Sequence, residues 1–346
     1  MGDASFRTGR SRAAASGIAA VAMALMLTGA CTSTTGSDPP GGPATASSAP
    51  ATAPLVTDVP VSAASLRPPI ADTVDRLHLP GAFVLVQTPD GTFAESFGNR
   101  EVGVAAPLTA TDHYRIGSIT KTMTATVILQ LVGEGEVSLD DTVADHVGGV
   151  PGGDQVTVRQ LLNMTSGLPE YTNTDQFSDA LLEDPQRAWS PEELLAFAFD
   201  PASTREPGTS APVAGEYFYD NTNYVLLGLI IEEVTGNTAS DEFRTRIFEP
   251  LGMADSALPV PEDAALPEPH GHGYVFGLPP EPDRAIDATE WNPSWAWTAG
   301  GVVSTPADMA VYAEALTSGA ALLRGQQPRP LHRPHLVGGG AGGNRP

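Results

Sequence analysis

Apolar residues recur at three- and four-residue steps along Met123, Val127, Ile128 and Leu131, which predicts a buried helix running on from Gly117-Ser118-Ile119-Thr120-Lys121. Ser118 stands where that helix begins, a position that favours serine. A second apolar stretch, Val225-Leu226-Leu227 with Leu229-Ile230-Ile231, predicts a helix from Asn221 to Thr235 stopped by Gly236. Residues 81–87 and 92–97 are strand-like, and Pro89-Asp90-Gly91 between them marks a turn, so the pair reads as an antiparallel hairpin. The section opened by Val137 is mostly helical. A short helix starts at Val158 and is closed by Gly167, and Ser190-Pro191-Glu192-Glu193 caps another. Asp241 to Phe248 makes a further helix, and Thr305-Pro306 opens one reaching about Leu316.

Composition divides the chain. Arg7, Arg10 and Arg12 precede an apolar run from Ala13 to Ala30, the pattern of an export signal over residues 1–30. Cys31 is the sole cysteine, which excludes an intrachain disulfide. Thr28-Gly29-Ala30-Cys31 looks like a lipoprotein processing box, with Thr28 where leucine is usual, and Cys31 then becomes a lipidated first residue. An uncleaved anchor or an ordinary secretory signal are the other readings. All three place the bulk of the chain outside the cytoplasm. Residues 31–66 are Thr, Ser, Gly, Pro and Ala with few bulky apolar side chains and read as a flexible tether. Residues 67–316 have globular composition. Residues 317–346 hold no acidic residue and are rich in Arg, Pro and Gly, as in a disordered tail or an out-of-frame end.

The net charge of −23 repels nucleic acid and leaves no basic patch for an anionic bilayer, so membrane contact would come through the lipid. Within this acidic chain Lys121 is the only lysine, and every other basic residue in the Lys and Arg count is arginine. Residues three apart on a helix share a face, offset by about 4.5 Å along the axis, so Lys121 can fold back beside Ser118. A serine hydroxyl attacks a carbonyl once a neighbouring base takes its proton, and lysine serves only if its pKa falls well below ~10.4. A second cluster, Tyr217-Phe218-Tyr219-Asp220-Asn221, offers a phenol in Tyr219 to relay a proton and an amide in Asn221 to hold a substrate carbonyl and the lysine together. His270-Gly271-His272 lacks an acidic or cysteine ligand at metal-site spacing, so no metal or other cofactor is expected. Ser166 sits in no G-x-S-x-G elbow, and Gly148–Gly153 lacks a phosphate-loop lysine. Trp291, Trp295 and Trp297 either wall a cleft or pack the core.

The segments Tyr114–Lys121, Leu161–Leu168, Tyr219–Tyr224, Ile247–Met253 and Ala299–Thr305 resemble the serine beta-lactamase and penicillin-recognising superfamily, in its class C and D-alanyl-D-alanine carboxypeptidase branch. The resemblance implies an α+β fold, an antiparallel sheet flanked by helices with an inserted, mostly helical lobe. It implies Ser118 as acylated nucleophile, Lys121 as its base partner, Tyr219 as proton relay and Asn221 as substrate clamp. Whether Lys121 or Tyr219 takes the serine proton stays open. The implied substrates are D-alanyl-D-alanine peptides of the cell wall, or related small amides, esters or beta-lactams. The family's third motif, His/Lys-Thr/Ser-Gly, is not found, and His335-Leu336-Val337-Gly338 has the wrong spacing for it. That strand supplies an oxyanion donor, whose loss costs on the order of 100- to 1,000-fold in rate. A non-catalytic, wall-associated lipoprotein that keeps the cleft is therefore the competing expectation.

Overall fold

The structure, a computed structural model, describes residues 62–88, 91–202, 212–276 and 284–319. The export segment, Cys31, residues 32–61, the Pro89-Asp90 turn, His335 and everything after Gly319 lie outside the described residues.

Ser62 accepts from Ser65 N in a capping box and opens helix α1 (Ala63–Arg76), which begins inside the stretch read as tether. Pro68 and Pro69 lie within it, and prolines read as helix breakers, which hides this element from sequence reasoning. Strands β1 (Gly81–Thr88) and β2 (Gly91–Gly98) pair antiparallel along their whole length, Gly81 opposite Gly98 and Thr88 opposite Gly91. Strand β3 (Tyr114–Arg115) follows, and helix α2 (Thr120–Glu134) is closed by Gly135 in the left-handed conformation.

The lobe after α2 holds α3 (Val158–Leu162), α4 (Asp175–Glu183) and α5 (Pro191–Phe199). Helix α3 does not run to Gly167 as expected. It stops at Leu162, because Met164 (φ 59°) and Gly167 (φ 75°) turn the chain left-handed. Helix α5 starts with the Ser190–Glu193 capping box. Helix α6 (Asn221–Thr235) ends at Gly236, φ 70°. The single helix expected over 241–248 is broken. Helix α7 (Ala239–Phe243) passes into a π-helical turn at Arg244–Phe248, then α8 (Glu249–Leu251). Pro250, with no N–H for the carbonyl four residues back, stands in the first turn of α8.

Two antiparallel pairs are only two residues long. Strand β4 (Tyr274–Val275) pairs with β5 (Ile286–Asp287). Beyond α9 (Trp297–Gly300), β6 (Val303–Ser304) pairs with β3, Tyr114 opposite Ser304. Helix α10 (Pro306–Ser318), capped by Thr305, packs on β1, and α1 packs on β2. The result is an α+β fold with antiparallel pairing flanked by helices and a mostly helical lobe.

Helices α2, α6 and α9 pack on one another at the centre. Met123, Val127, Ile128, Leu131, Val225, Leu226, Leu227, Ile230 and Ile231 are all buried there, as their spacing predicted. Gly228 makes the approach of α9 possible, since a Cβ at that position would sit 2.4 Å from Thr298 Oγ1 and 2.6 Å from Trp297 Cζ3. Trp295 joins the aromatic cluster around Phe177, at 6.1 Å between ring centroids, and Trp297 is buried against α6. These two tryptophans are packing residues. No helix among the described residues is long and apolar enough to cross a membrane.

Candidate active site

Ser118 does not cap the helix. Gly117–Ile119 form a 3-10 turn ahead of α2, and no side-chain cap bond is made at either start. Gly117 takes φ 56°, a conformation open to glycine, and Ile116 N donates to Val302 O at 3.0 Å. The turn is thereby pinned beside β6, and Ser118 Oγ is left for other partners.

Lys121, 5% exposed, folds back within the same face. Its Nζ donates to Ser118 Oγ at 3.1 Å, to Asn221 Oδ1 at 2.7 Å and to Ala299 O at 2.7 Å. Helix α9 delivers Ala299 O, and two bonds hold that helix in place. Thr124 Oγ1 of α2 donates to Thr298 O at 2.6 Å, and Thr298 Oγ1 donates to Tyr224 O of α6 at 2.8 Å. Burial lowers the Lys121 pKa from 10.5 to about 8, against the opposing pull of acidic neighbours, Glu170 foremost. Once neutral, the amine keeps two N–H bonds for the two carbonyl oxygens, which can only accept. Its lone pair is then turned toward Ser118.

Tyr219 lies just before α6 and donates its O–H to Ser118 Oγ at 2.6 Å. Burial raises its pKa, so the phenol keeps its proton at neutral pH. Lys121 Nζ stands 4.8 Å from the centroid of the Tyr219 ring and 5.6 Å from that of Tyr224. Ser118, Lys121, Tyr219 and Asn221 are thus brought together from the 3-10 turn, α2 and the segment that enters α6. The Asn221 amide nitrogen is turned away from the serine, toward Glu170 Oε1 at 3.3 Å and Thr172 Oγ1 at 3.4 Å. Both ends of the amide are engaged by the protein.

Sequence reasoning missed Glu170 and Ala299 O. Glu170 stands two residues beyond the Leu161–Leu168 segment, in a turn that docks on the start of α6. Ser166 Oγ donates to Asn223 Oδ1 at 2.6 Å, Tyr224 O–H donates to Leu162 O at 3.0 Å, and Thr222 Oγ1 donates to Pro169 O at 2.7 Å. Ser166 is spent on this docking and is no nucleophile. An acidic side chain inside an otherwise apolar turn was the one available signal for Glu170. Ala299 acts through its backbone, so its identity carried no signal. The rings of His270 and His272 are tilted at 39° with centroids 5.8 Å apart, and His272 Nδ1 lies 2.7 Å from Asp287 Oδ2. No group of three or more His, Cys, Asp or Glu side chains among the described residues could hold a metal. No described strand carries a His/Lys-Thr/Ser-Gly motif.

Known proteins share this arrangement of elements. The chain is 34% identical to a D-stereospecific amidohydrolase from a Streptomyces species, with a TM-score of 0.59 over 71% of this chain and 70% of that one. It is 32% identical to a D-amino acid amidase from Ochrobactrum anthropi SV3, solved with L-phenylalanine amide, with a TM-score of 0.60 over 74% and 70% of the two chains. Penicillin-binding protein 4 of Amycolatopsis lactamdurans is 31% identical over 242 residues, 68% of this chain and 59% of that protein. The chain spans roughly two fifths to three fifths of the length of such curated relatives. A family model described as Beta-lactamase matches residues 67–345, and the chain belongs to that family.

Proposed function

We propose that the protein is a serine hydrolase working through an acyl-enzyme on Ser118, with small peptides and amides of the D-alanyl-D-alanine type as its substrates. Within the family we assign it to the carboxypeptidase-like branch rather than to class C. One observation carries the reading: Ser118 Oγ lies 3.1 Å from the buried Lys121 amine and 2.6 Å from the Tyr219 hydroxyl. Likeness to a D-stereospecific amidohydrolase and a D-amino acid amidase supports the amide class and the D configuration.

In the proposed reaction, Ser118 Oγ bonds to the substrate carbonyl carbon and its proton passes to the Lys121 lone pair. The carbonyl electrons move onto oxygen. On collapse the C–N bond breaks, and the leaving nitrogen takes a proton from Tyr219. The proton gained by Lys121 makes good that loss. Water then adds to the ester, the bond from acyl carbon to Oγ breaks, and Ser118 regains its proton. Lys121 is the base in this scheme because its pKa is lowered to about 8 while that of Tyr219 is raised.

A second reading, a lipoprotein that keeps the cleft without turnover, is favoured by the absence of a His/Lys-Thr/Ser-Gly strand among the described residues. A fluorescent penicillin or fluorophosphonate separates the two. Labelling of the wild type that vanishes in Ser118→Ala supports the hydrolase, and a folded wild type that takes no label supports the second reading. Comparing turnover of a D-alanyl-D-alanine peptide, a D-amino acid amide, a penicillin and a small ester then sets the substrate class. We also propose an extracytoplasmic address with a lipid on Cys31, which rests on residues 1–31 of the sequence.

A further inference from the structure

Behind Lys121 lie two acids that the acyl-transfer scheme does not use. Glu170 is 6% exposed and Asp220 is 1% exposed. The Glu170 carboxylate is crowded with donors. Its Oε1 accepts from Thr172 N at 2.9 Å, Thr172 Oγ1 at 2.8 Å and Asn221 Nδ2 at 3.3 Å, and its Oε2 accepts from the Asn221 backbone N–H. Asp220 caps α6 by accepting from Thr222 N through Oδ1 at 2.7 Å. Its other oxygen, Oδ2, is buried, and no N–H or O–H of the described residues reaches it. The buried carboxyl beside it is Glu170, whose Oε2 takes the backbone N–H of the next residue, Asn221. Two dry carboxyl groups in such contact cannot both be ionised, since each can then only accept. Burial first, and the Glu170 charge second, push the Asp220 pKa well above the ordinary carboxyl range. With its proton kept, Asp220 Oδ2–H becomes a donor, and Glu170 is the neighbouring carboxyl able to accept it.

The consequence falls on Asn221. A carboxylate accepts and never donates, so the amide must turn its N–H bonds to Glu170 and its oxygen to Lys121. The flipped amide would set N–H against N–H at Lys121 and oxygen against oxygen at Glu170. We propose that Glu170 and Asp220 form a buried acid–carboxylate pair, one proton between two carboxyl groups, that holds the Asn221 oxygen on Lys121 and so aims the amine at Ser118. Both are positioning residues, and their role in acylation rests on the hydrolase reading above. The other titratable groups around the pair are Lys121, Tyr171, Tyr219 and Tyr224. All three tyrosines are raised above their ordinary value by burial, which leaves Lys121 as the neighbour that titrates near neutrality.

Two measurements on the full-length protein test this. Infrared difference spectra of the wild type at neutral pH should show a protonated-carboxyl C=O band that disappears in Asp220→Asn. The rate of Ser118 labelling by a fluorescent penicillin should then be followed against pH. Glu170→Gln should slow labelling by about tenfold or more, because a hydrogen-bonded charge is lost. It should also lower the pH midpoint, because the Glu170 charge raises the Lys121 pKa. Asp220→Asn keeps an oxygen for Thr222 N and an N–H for Glu170. It should slow labelling less than Glu170→Gln and leave the midpoint in place. Absence of the carboxyl band, or an Asp220→Asn midpoint that falls as far as that of Glu170→Gln, overturns the proposal. If Glu170→Gln does not fold, the band and the Asp220→Asn midpoint decide. If the wild type takes no label the proposed function falls, and the pair stands or falls with the band.

Discussion

Lys121 and Arg246 are both buried cations, 5% and 7% exposed, yet the atoms around them differ in kind. The Lys121 amine meets a hydroxyl, an amide oxygen and a peptide oxygen, all uncharged. Arg246 meets carboxylates. Its Nη1 donates to both oxygens of Glu134, at 2.9 and 3.1 Å, and its Nε donates to Glu242, one helical turn back. Burial opposes the charge at both places. At Arg246 the carboxylates outweigh it and the pKa is raised, whereas at Lys121 burial prevails and the pKa drops to about 8. Burial alone therefore does not decide the fate of a cation. Neutral acceptors hold an amine in place without holding its proton, and charged acceptors hold both.

Three experiments break or sharpen this contrast. The largest effect is expected from Lys121→Met, which removes the base and should cut Ser118 labelling by about 10²- to 10⁴-fold. Unfolding free energy in urea should fall by only about 1–3 kcal/mol, because the partners left without a donor, Asn221 Oδ1 and Ala299 O, are uncharged. Wild-type labelling in this variant would end the role of the amine. Arg246→Met should do the reverse. It leaves Glu242 buried without its cation and should cost about 3–5 kcal/mol of unfolding free energy in urea titrations, with labelling of the folded protein retained. The smallest effect is that of pH on the wild type. The protonated amine has no lone pair, so the labelling rate should fall about tenfold per unit below a midpoint near pH 8 and level off above it. A midpoint at the value of free lysine would show that the amine is not desolvated.

Much of the secondary structure was legible because its signals are local. The Ser190–Glu193 capping box, the Gly236 stop and the Thr305 cap each act within one turn of chain, and each is found where the residues put it. The failures share a cause too. Strands β3 and β6 are two residues each, too short for a period of two to register, and their partners are far apart in the chain. Helix α1 is hidden by Pro68-Pro69 and the end of α3 by the left-handed Met164. Serine favours the cap position, but the Gly117 turn carries Ser118 into a 3-10 segment and frees its hydroxyl.

The sequence by itself determined the pairing of Ser118 with Lys121, since a three-residue step along a helix is set by the backbone period. It also pointed to Tyr219 and Asn221 through residue type and resemblance. Only the tertiary structure decided what the amine would meet. Asn221 lies 100 residues from Lys121 and Ala299 lies 178 residues away, and Glu170 acts on the amine through Asn221. Dryness and the charge of surrounding acceptors arise where distant segments pack together, so no local pattern could have carried them.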